Sequence, residues 1–211
     1  AVYVFERQGS SWVETAELVP GDLSDQAYFG NSVSVSGDVV VGAAPTQDRG
    51  FNGGGAAYVF ERVGAAWLET AKLTALDAEQ TDLFGSHVSV DGLVILSTNS
   101  TDDDVAPNTG SVYAFGKEAG GWVQIAKYLA PDASEADGMG LSSAIDGNTV
   151  VVSSIGDDVA CPANLICNSG SAYFFALSPD ALQYGSCWTG SVCTLFDGHG
   201  GCPNSTIQGA T

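Results

Sequence analysis

Basic residues are scarce in this chain: 6 Lys and Arg stand against 25 Asp and Glu, a formal charge of −19 over 211 residues. That balance repels a polyanion, which excludes nucleic acid as a partner. No apolar run approaches the roughly 18 to 20 residues that a membrane helix needs, so no membrane span is expected. Histidine is limited to His87 and His199. No G-x-S-x-G nucleophile elbow accompanies them, so a hydrolase of the Ser-His-Asp kind has little to build on and the chain is read as a non-enzyme.

Cysteine is missing from the first 160 residues and then occurs five times, at Cys161, Cys167, Cys187, Cys193 and Cys202. Local enrichment beside Gly and Pro reads as disulfide stapling in an oxidising compartment, hence an extracellular address. Cys161 and Cys167 share one short loop and are the expected pair. Cys187, Cys193 and Cys202 leave one sulfur over whichever two join, which points to a partner on another chain or in a further segment. A zinc site from Cys193, His199 and Cys202 lacks paired C-x-x-C spacing, and disulfides claim those sulfurs first. Sequons at Asn99 and Asn204 fit the same address and are expected to carry glycans. The opening Ala1 reads as the start of a mature or trimmed piece.

What the chain has in abundance is self-similarity. "VYVF" at Val2, "AYVF" at Ala57, "VYAF" at Val112 and "AYFF" at Ala172 place Tyr3, Tyr58 and Tyr113 at a spacing of 55 residues, with Tyr173 60 residues further on. Trp12, Trp67 and Trp122 keep the same offset, as do Ala16, Ala71 and Ala126. Turn pairs Ser36-Gly37, Asp91-Gly92 and Asp146-Gly147 follow it too, and so do Phe29-Gly30, Phe84-Gly85 and Met139-Gly140. In one copy, "AYVFER" alternates, "VGAA" turns, "WLETAKL" alternates, "LFGSHVSV" alternates after a polar stretch, "DG" turns and "LVILST" is a short apolar run. Those are four strands and no helix. Four short strands per repeat form the sheet unit of a β-propeller blade, which buries its faces only against its neighbours. Recurrent aromatics then supply bulk between blades, and the glycine after each Phe or Met permits a close backbone approach or a bulge.

The stretch "YFGNSVSVSGDVVVGAAP" from Tyr28 to Pro45, followed by "GGGAAYVF", resembles the FG-GAP repeat of integrin α-subunit propellers and of many secreted proteins. Phe29-Gly30 stands for the FG and Gly42-Ala43-Ala44-Pro45 for the GAP. The second copy keeps Phe84-Gly85 but has Ser97-Thr98-Asn99 at the GAP, and the third has Met139-Gly140 and Val152-Ser153-Ser154. The resemblance implies an all-β fold of antiparallel four-stranded blades over residues 1–176, with blades at about 29–73, 84–128 and 139–176. Residues 1–18 are then the outer half of an incomplete blade. The cysteine-rich tail, 177–211, completes the last blade or pairs with residues 1–18.

The same resemblance makes calcium the one candidate cofactor, because integrin-type loops hold it with several acidic oxygens. The candidate ligands are Asp48, then Asp102, Asp103 and Asp104, then Asp157 and Asp158. None has alternating D-x-D-x-D spacing, and solvated acidic loops that keep the protein soluble are the preferred reading over calcium. A second acidic set, Asp22/Asp25, Asp77/Asp82 and Asp132/Asp137, is expected to cap turns.

Three blades and a half do not close a ring of the usual four to eight, and an open array leaves edges and apolar faces to be covered. The expectation is a non-enzymatic extracellular structural or adhesive module that assembles with other copies, including into a fibre. The alternative is a glycan- or protein-binding propeller head within a longer parent chain. A hydrolase dependent on His87 or His199 is the third reading.

Overall fold

A computed structural model describes residues 1–48, 54–79, 82–158, 168–177, 186–189 and 192–195, the last two stretches as backbone strands. Among them the order is β1 (Val2–Gln8), β2 (Ser11–Leu18), β3 (Val33–Ser36), β4 (Val39–Ala44), β5 (Ala56–Val63) and β6 (Ala66–Leu73). Then come β7 (Val88–Asp91), β8 (Val94–Asn99), β9 (Ser111–Glu118), β10 (Gly121–Tyr128), β11 (Met139–Asp146), β12 (Thr149–Ser154), β13 (Ser171–Ala176), β14 (Ser186–Thr189) and β15 (Val192–Leu195). No helix occurs among the described residues.

Short turns pair β1 with β2, β3 with β4, β5 with β6, β7 with β8, β9 with β10 and β11 with β12 antiparallel, and longer loops bring β4 beside β5, β8 beside β9 and β12 beside β13. The results are a two-stranded hairpin β1-β2, complete four-stranded blades β3-β4-β5-β6 and β7-β8-β9-β10, a three-stranded sheet β11-β12-β13 and a separate hairpin β14-β15. Among the described residues the third sheet therefore has no fourth strand. The terminal hairpin, on which that expectation rested, is hydrogen-bonded to neither the third sheet nor β1 and runs beside β10.

The outer hairpins carry a bulge that the sequence pattern does not announce. Pairing slips between Val4 and Phe5, between Val59 and Phe60, and between Gln124 and Ala126, leaving Thr15, Thr70 and Ile125 as the extra residues, one repeat apart. A bulge adds local twist, so its recurrence gives successive blades the same shape.

The core lies between sheets. One cluster joins the first hairpin to the first blade through Val2, Leu18, Tyr58 and Phe60. The next joins the two complete blades through Val41, Ala57, Val59, Phe84, Val88 and Tyr113. A third joins the second blade to the third sheet through Leu96, Ala114, Tyr128, Met139 and Val152. One face of each blade is aromatic and the other small. Phe84 stands edge-on to Tyr113 and Phe115 at centroid separations of 5.4 and 5.8 Å, the favourable arrangement for ring quadrupoles.

The aromatic-glycine pair is explained by backbone contact between blades. Gly85 has φ +90, and a Cβ there would meet the Ala56 carbonyl oxygen of the preceding blade at 2.6 Å. Gly110, at φ +79, forms a parallel bridge with Met139, whose carbonyl oxygen would lie 2.1 Å from an added Cβ.

Innermost strands would otherwise be bare edges. Instead, Ser32, Ser34 and Ser36 accept hydrogen bonds from the backbone N–H groups of Val88 (3.1 Å), Val90 (3.1 Å) and Gly92 (3.0 Å) in the next blade. At the following boundary His87 Nδ1 accepts from the Ser143 N–H (3.2 Å) and Asp91 from the Gly147 N–H (2.7 Å). His87 thus substitutes for Ser32 as an acceptor on an inner strand.

Gly110→Ala is expected to destabilise the protein by about 2–5 kcal/mol, from a left-handed backbone plus overpacking. Gly92→Ala, also at positive φ but with nothing within 4 Å of an added Cβ, should cost about 1 kcal/mol. Urea denaturation of the two variants checks the difference.

Candidate functional site in the acidic loops

Three of the six candidate aspartates, Asp48, Asp102 and Asp104, meet two lysines rather than open space. Lys127 lies on β10, the strand that also carries Trp122, and reaches both the preceding linker and the β8-β9 loop. Its Nζ lies 2.8 Å from Asp77, 2.8 Å from Asp102 and 2.5 Å from Asp104, and 4.9 Å from the centre of the Tyr113 ring. Asp102 also accepts from the hydroxyls of Ser111 and Tyr113, each at 2.8 Å. One repeat earlier, Lys72 bonds Asp22 at 2.7 Å and Asp48 at 2.9 Å, while the Tyr58 hydroxyl donates to Asp22 at 2.7 Å. In the third sheet the Tyr173 hydroxyl donates to Asp132 at 2.7 Å and to Asp157. Asp158 accepts from the Asn168 N–H at 2.7 Å. Asp103 is exposed and outside the cluster.

Electrostatics follow from burial and pairing. Burial pushes the Asp102 carboxyl up, but Lys127, Ser111 and Tyr113 hold it below the usual carboxylate range. Burial likewise opposes the charge of Lys127, and its anionic neighbours more than offset this, so its pKa is raised. Hydrogen bonding to Lys72 is the main cause that lowers Asp22. An ammonium inside three carboxylates satisfies the demand that a bound cation would satisfy. At these two repeats calcium does not fit without displacing the lysine, and no group of three or more His, Cys, Asp or Glu among the described residues is arranged to hold a metal.

The second acidic set divides by position. Asp82 and Asp137 accept backbone N–H bonds from Glu79 (2.8 Å) and Ser134 (2.6 Å), closing the turns before the next blade. Asp22, Asp77 and Asp132 belong to the lysine and tyrosine clusters. Lys72 and Lys127 escape a sequence reading that follows only apolar and acidic positions, although their 55-residue spacing is visible and Glu17 holds the same position in the first hairpin. Outer edges are clamped similarly: Glu61 accepts from Trp122 Nε1 of the next blade at 2.8 Å and pairs with Lys117, as Glu6 pairs with Arg62 at 2.8 Å.

Asn99 requires a correction. Its side chain is 0% exposed at the end of β8, with Oδ1 accepting from the Leu83 N–H (3.0 Å) and from the Thr101 N–H and hydroxyl (3.2 Å each). Nδ2, the atom that would carry a sugar, is enclosed. The folded chain therefore has no room for a glycan at this sequon. Asn204, His199, Cys161, Cys167 and Cys202 lie outside the described residues, and Cys187 and Cys193 are described only as backbone positions in β14 and β15. His87 is half-buried, and its Nδ1 lies 3.1 Å from Ser143 Oγ while taking the Ser143 N–H. A lone pair already engaged by the main chain is not poised to take the hydroxyl proton.

Blade-like antiparallel sheets held face to face and tied by internal ion clusters define a β-propeller type of repeat protein. The chain belongs to the FG-GAP repeat family, whose sequence signature matches residues 12–60, 67–115 and 122–175. No curated protein matches it. Among solved structures, the crystal structure of the computationally designed Ika4 protein is similar at 11% identity and a TM-score of 0.43, over 88% of this chain and 94% of that one.

Lys127→Met should cost about 3–5 kcal/mol, because it strands a buried Asp102. Lys72→Met should cost about 1 kcal/mol, since its partners are half-exposed. Adding Asp102→Asn to Lys127→Met is expected to recover part of the loss, and chemical denaturation measures all three. A pH effect accompanies His87, whose pKa burial lowers from 6.5. The unfolded chain takes up that proton first, so His87's contribution is complete above about pH 6.5 and is lost as pH falls through that value towards the folded pKa. His87→Ser should flatten stability measured between about pH 7 and 5.

Proposed function

We propose that this chain is a non-enzymatic structural module of extracellular architecture that works by packing against further copies of itself. One observation carries the reading. Tyr3 and Phe5 are 51% and 52% exposed, whereas their counterparts one and two repeats on, Tyr58, Tyr113, Phe60 and Phe115, are 0–3% exposed beneath a preceding sheet. Trp12 is exposed on the same hairpin. At the other end Phe174 is exposed on β13, on the face that in the complete blades receives the next sheet. Two uncovered, repeat-related faces at opposite ends suit a heterologous contact, which propagates or closes into a ring.

An extracellular setting is supported by the family and by the clustered cysteines. No helix among the described residues is long and apolar enough to cross a membrane. Among the described residues, four of the five well-exposed aromatics, Tyr3, Phe5, Trp12 and Phe174, lie on strand faces and only Tyr28 on a loop, a distribution that favours packing over glycan capture.

Sedimentation of the native protein across a concentration series tests the reading. Mass rising above the 21.5 kDa of the polypeptide is expected. A single monomeric species at all concentrations, in buffer with and without reductant, would overturn it.

A further inference from the structure

Among the described residues no inner strand pairs with the first hairpin, and the space beside β1 is a shaped groove. It encloses about 230 Å³ between β1 and the inner strands of the first blade, lined by Val2, Val4, Phe5, Val33, Val35 and Val40. Val33 and Val35 are 53% and 65% exposed there, whereas Val88 and Val90, one repeat on, are 1% and 8% exposed beneath the inner half of the first blade. Val2 and Val40 also belong to the core between the hairpin and the first blade, so the groove continues an interface the fold already uses. One edge of β1 pairs with β2; in the complete blades the other edge of the equivalent strand pairs with β4 or β8.

The repeat states what an occupant must be: a strand of four residues, a two-residue turn and a second strand that pairs with β1. One segment of this chain not used by the blades has that form. β14 and β15 are four residues each, separated by two. Their last pair before the turn, Thr189↔Val192, matches Ser36↔Val39, Asp91↔Val94 and Asp146↔Thr149. The sequence agrees, since Thr189-Gly190-Ser191-Val192 stands beside Ser36-Gly37-Asp38-Val39 and Asp146-Gly147-Asn148-Thr149. In its own copy this hairpin runs beside β10, in the second blade, whereas the groove lies on the far side of the first blade.

We infer that the β14-β15 hairpin of one copy enters the groove of a second copy, where β15 pairs with β1 to complete a four-stranded blade β14-β15-β1-β2. Donor at one end and acceptor at the other make the contact head-to-tail. β15 becomes a central strand with ladder bonds on both sides, so it does not tolerate proline.

The inference rests on the assembly reading above, and one full-chain experiment separates the two. Val35→Lys charges the groove at an exposed position, and Thr194→Pro breaks the donor hairpin. Each variant alone should sediment as a monomer with an unchanged melting temperature, and an equal mixture of the two should form a species of twice the monomer mass and no larger. A synthetic peptide of residues 184–197 carrying Cys187→Ser and Cys193→Ser should shorten wild-type assemblies. Wild-type assembly together with a mixture that stays monomeric, or with either variant assembling as wild type does, sinks the donor-groove pairing while leaving assembly itself standing. A monomeric wild type in which both variants lose stability means the hairpin folds back on its own copy, and overturns both.

Discussion

A blade in this protein has no interior of its own. Each sheet is two-sided, and its apolar residues, its inner edge and the polar groups at its loops are satisfied by the sheet before it and the sheet after it. Most other features follow from that constraint. The aromatic face of one blade meets the small-residue face of the last. Glycines at positive φ allow main chains to touch, and serines on one inner strand cap the N–H groups of the next. Where serine is replaced, the substitute is another acceptor, His87 or Asp91.

Charge is handled by the same economy. Asp77 comes from the linker that leaves one blade, and Asp102 and Asp104 come from a loop of the next; Lys127 binds all three. A lysine carried by the fold ties the linker to the loop. Removing water from a carboxylate is costly, and a single ammonium offsets it only with good geometry and additional donors. The hydroxyls of Tyr113 and Ser111 supply those donors.

Much of this fold is legible in the sequence because its signals are periodic. Strand alternation, turn pairs and the aromatic-glycine motif recur at a fixed interval, and four strands per interval define a blade. The bulge at Thr15, Thr70 and Ile125 is not legible, because an extra residue inside an alternating strand changes register without changing composition. The loop aspartates are visible as acids, yet their partners lie 23 to 50 residues away in sequence, so acidity alone suggests a metal where the fold provides lysine. Asn99 shows the converse. A sequon is a local triplet, whereas burial of its amide depends on a strand end packed under a neighbouring loop.

A strongly acidic surface and an uncovered apolar face act at different distances. Repulsion between two molecules that each carry a charge of −19 extends over a Debye length, about 8 Å at physiological ionic strength. Apolar contact acts only at touching range. Random approaches are therefore rejected early, and an approach succeeds only where enough apolar area is covered at once to outweigh the repulsion. Exposed Tyr3, Phe5 and Trp12 on one short hairpin concentrate that area in one place. For the assembly proposed above, the acidity opposes every contact alike, so only a contact that covers enough apolar area at once outweighs it.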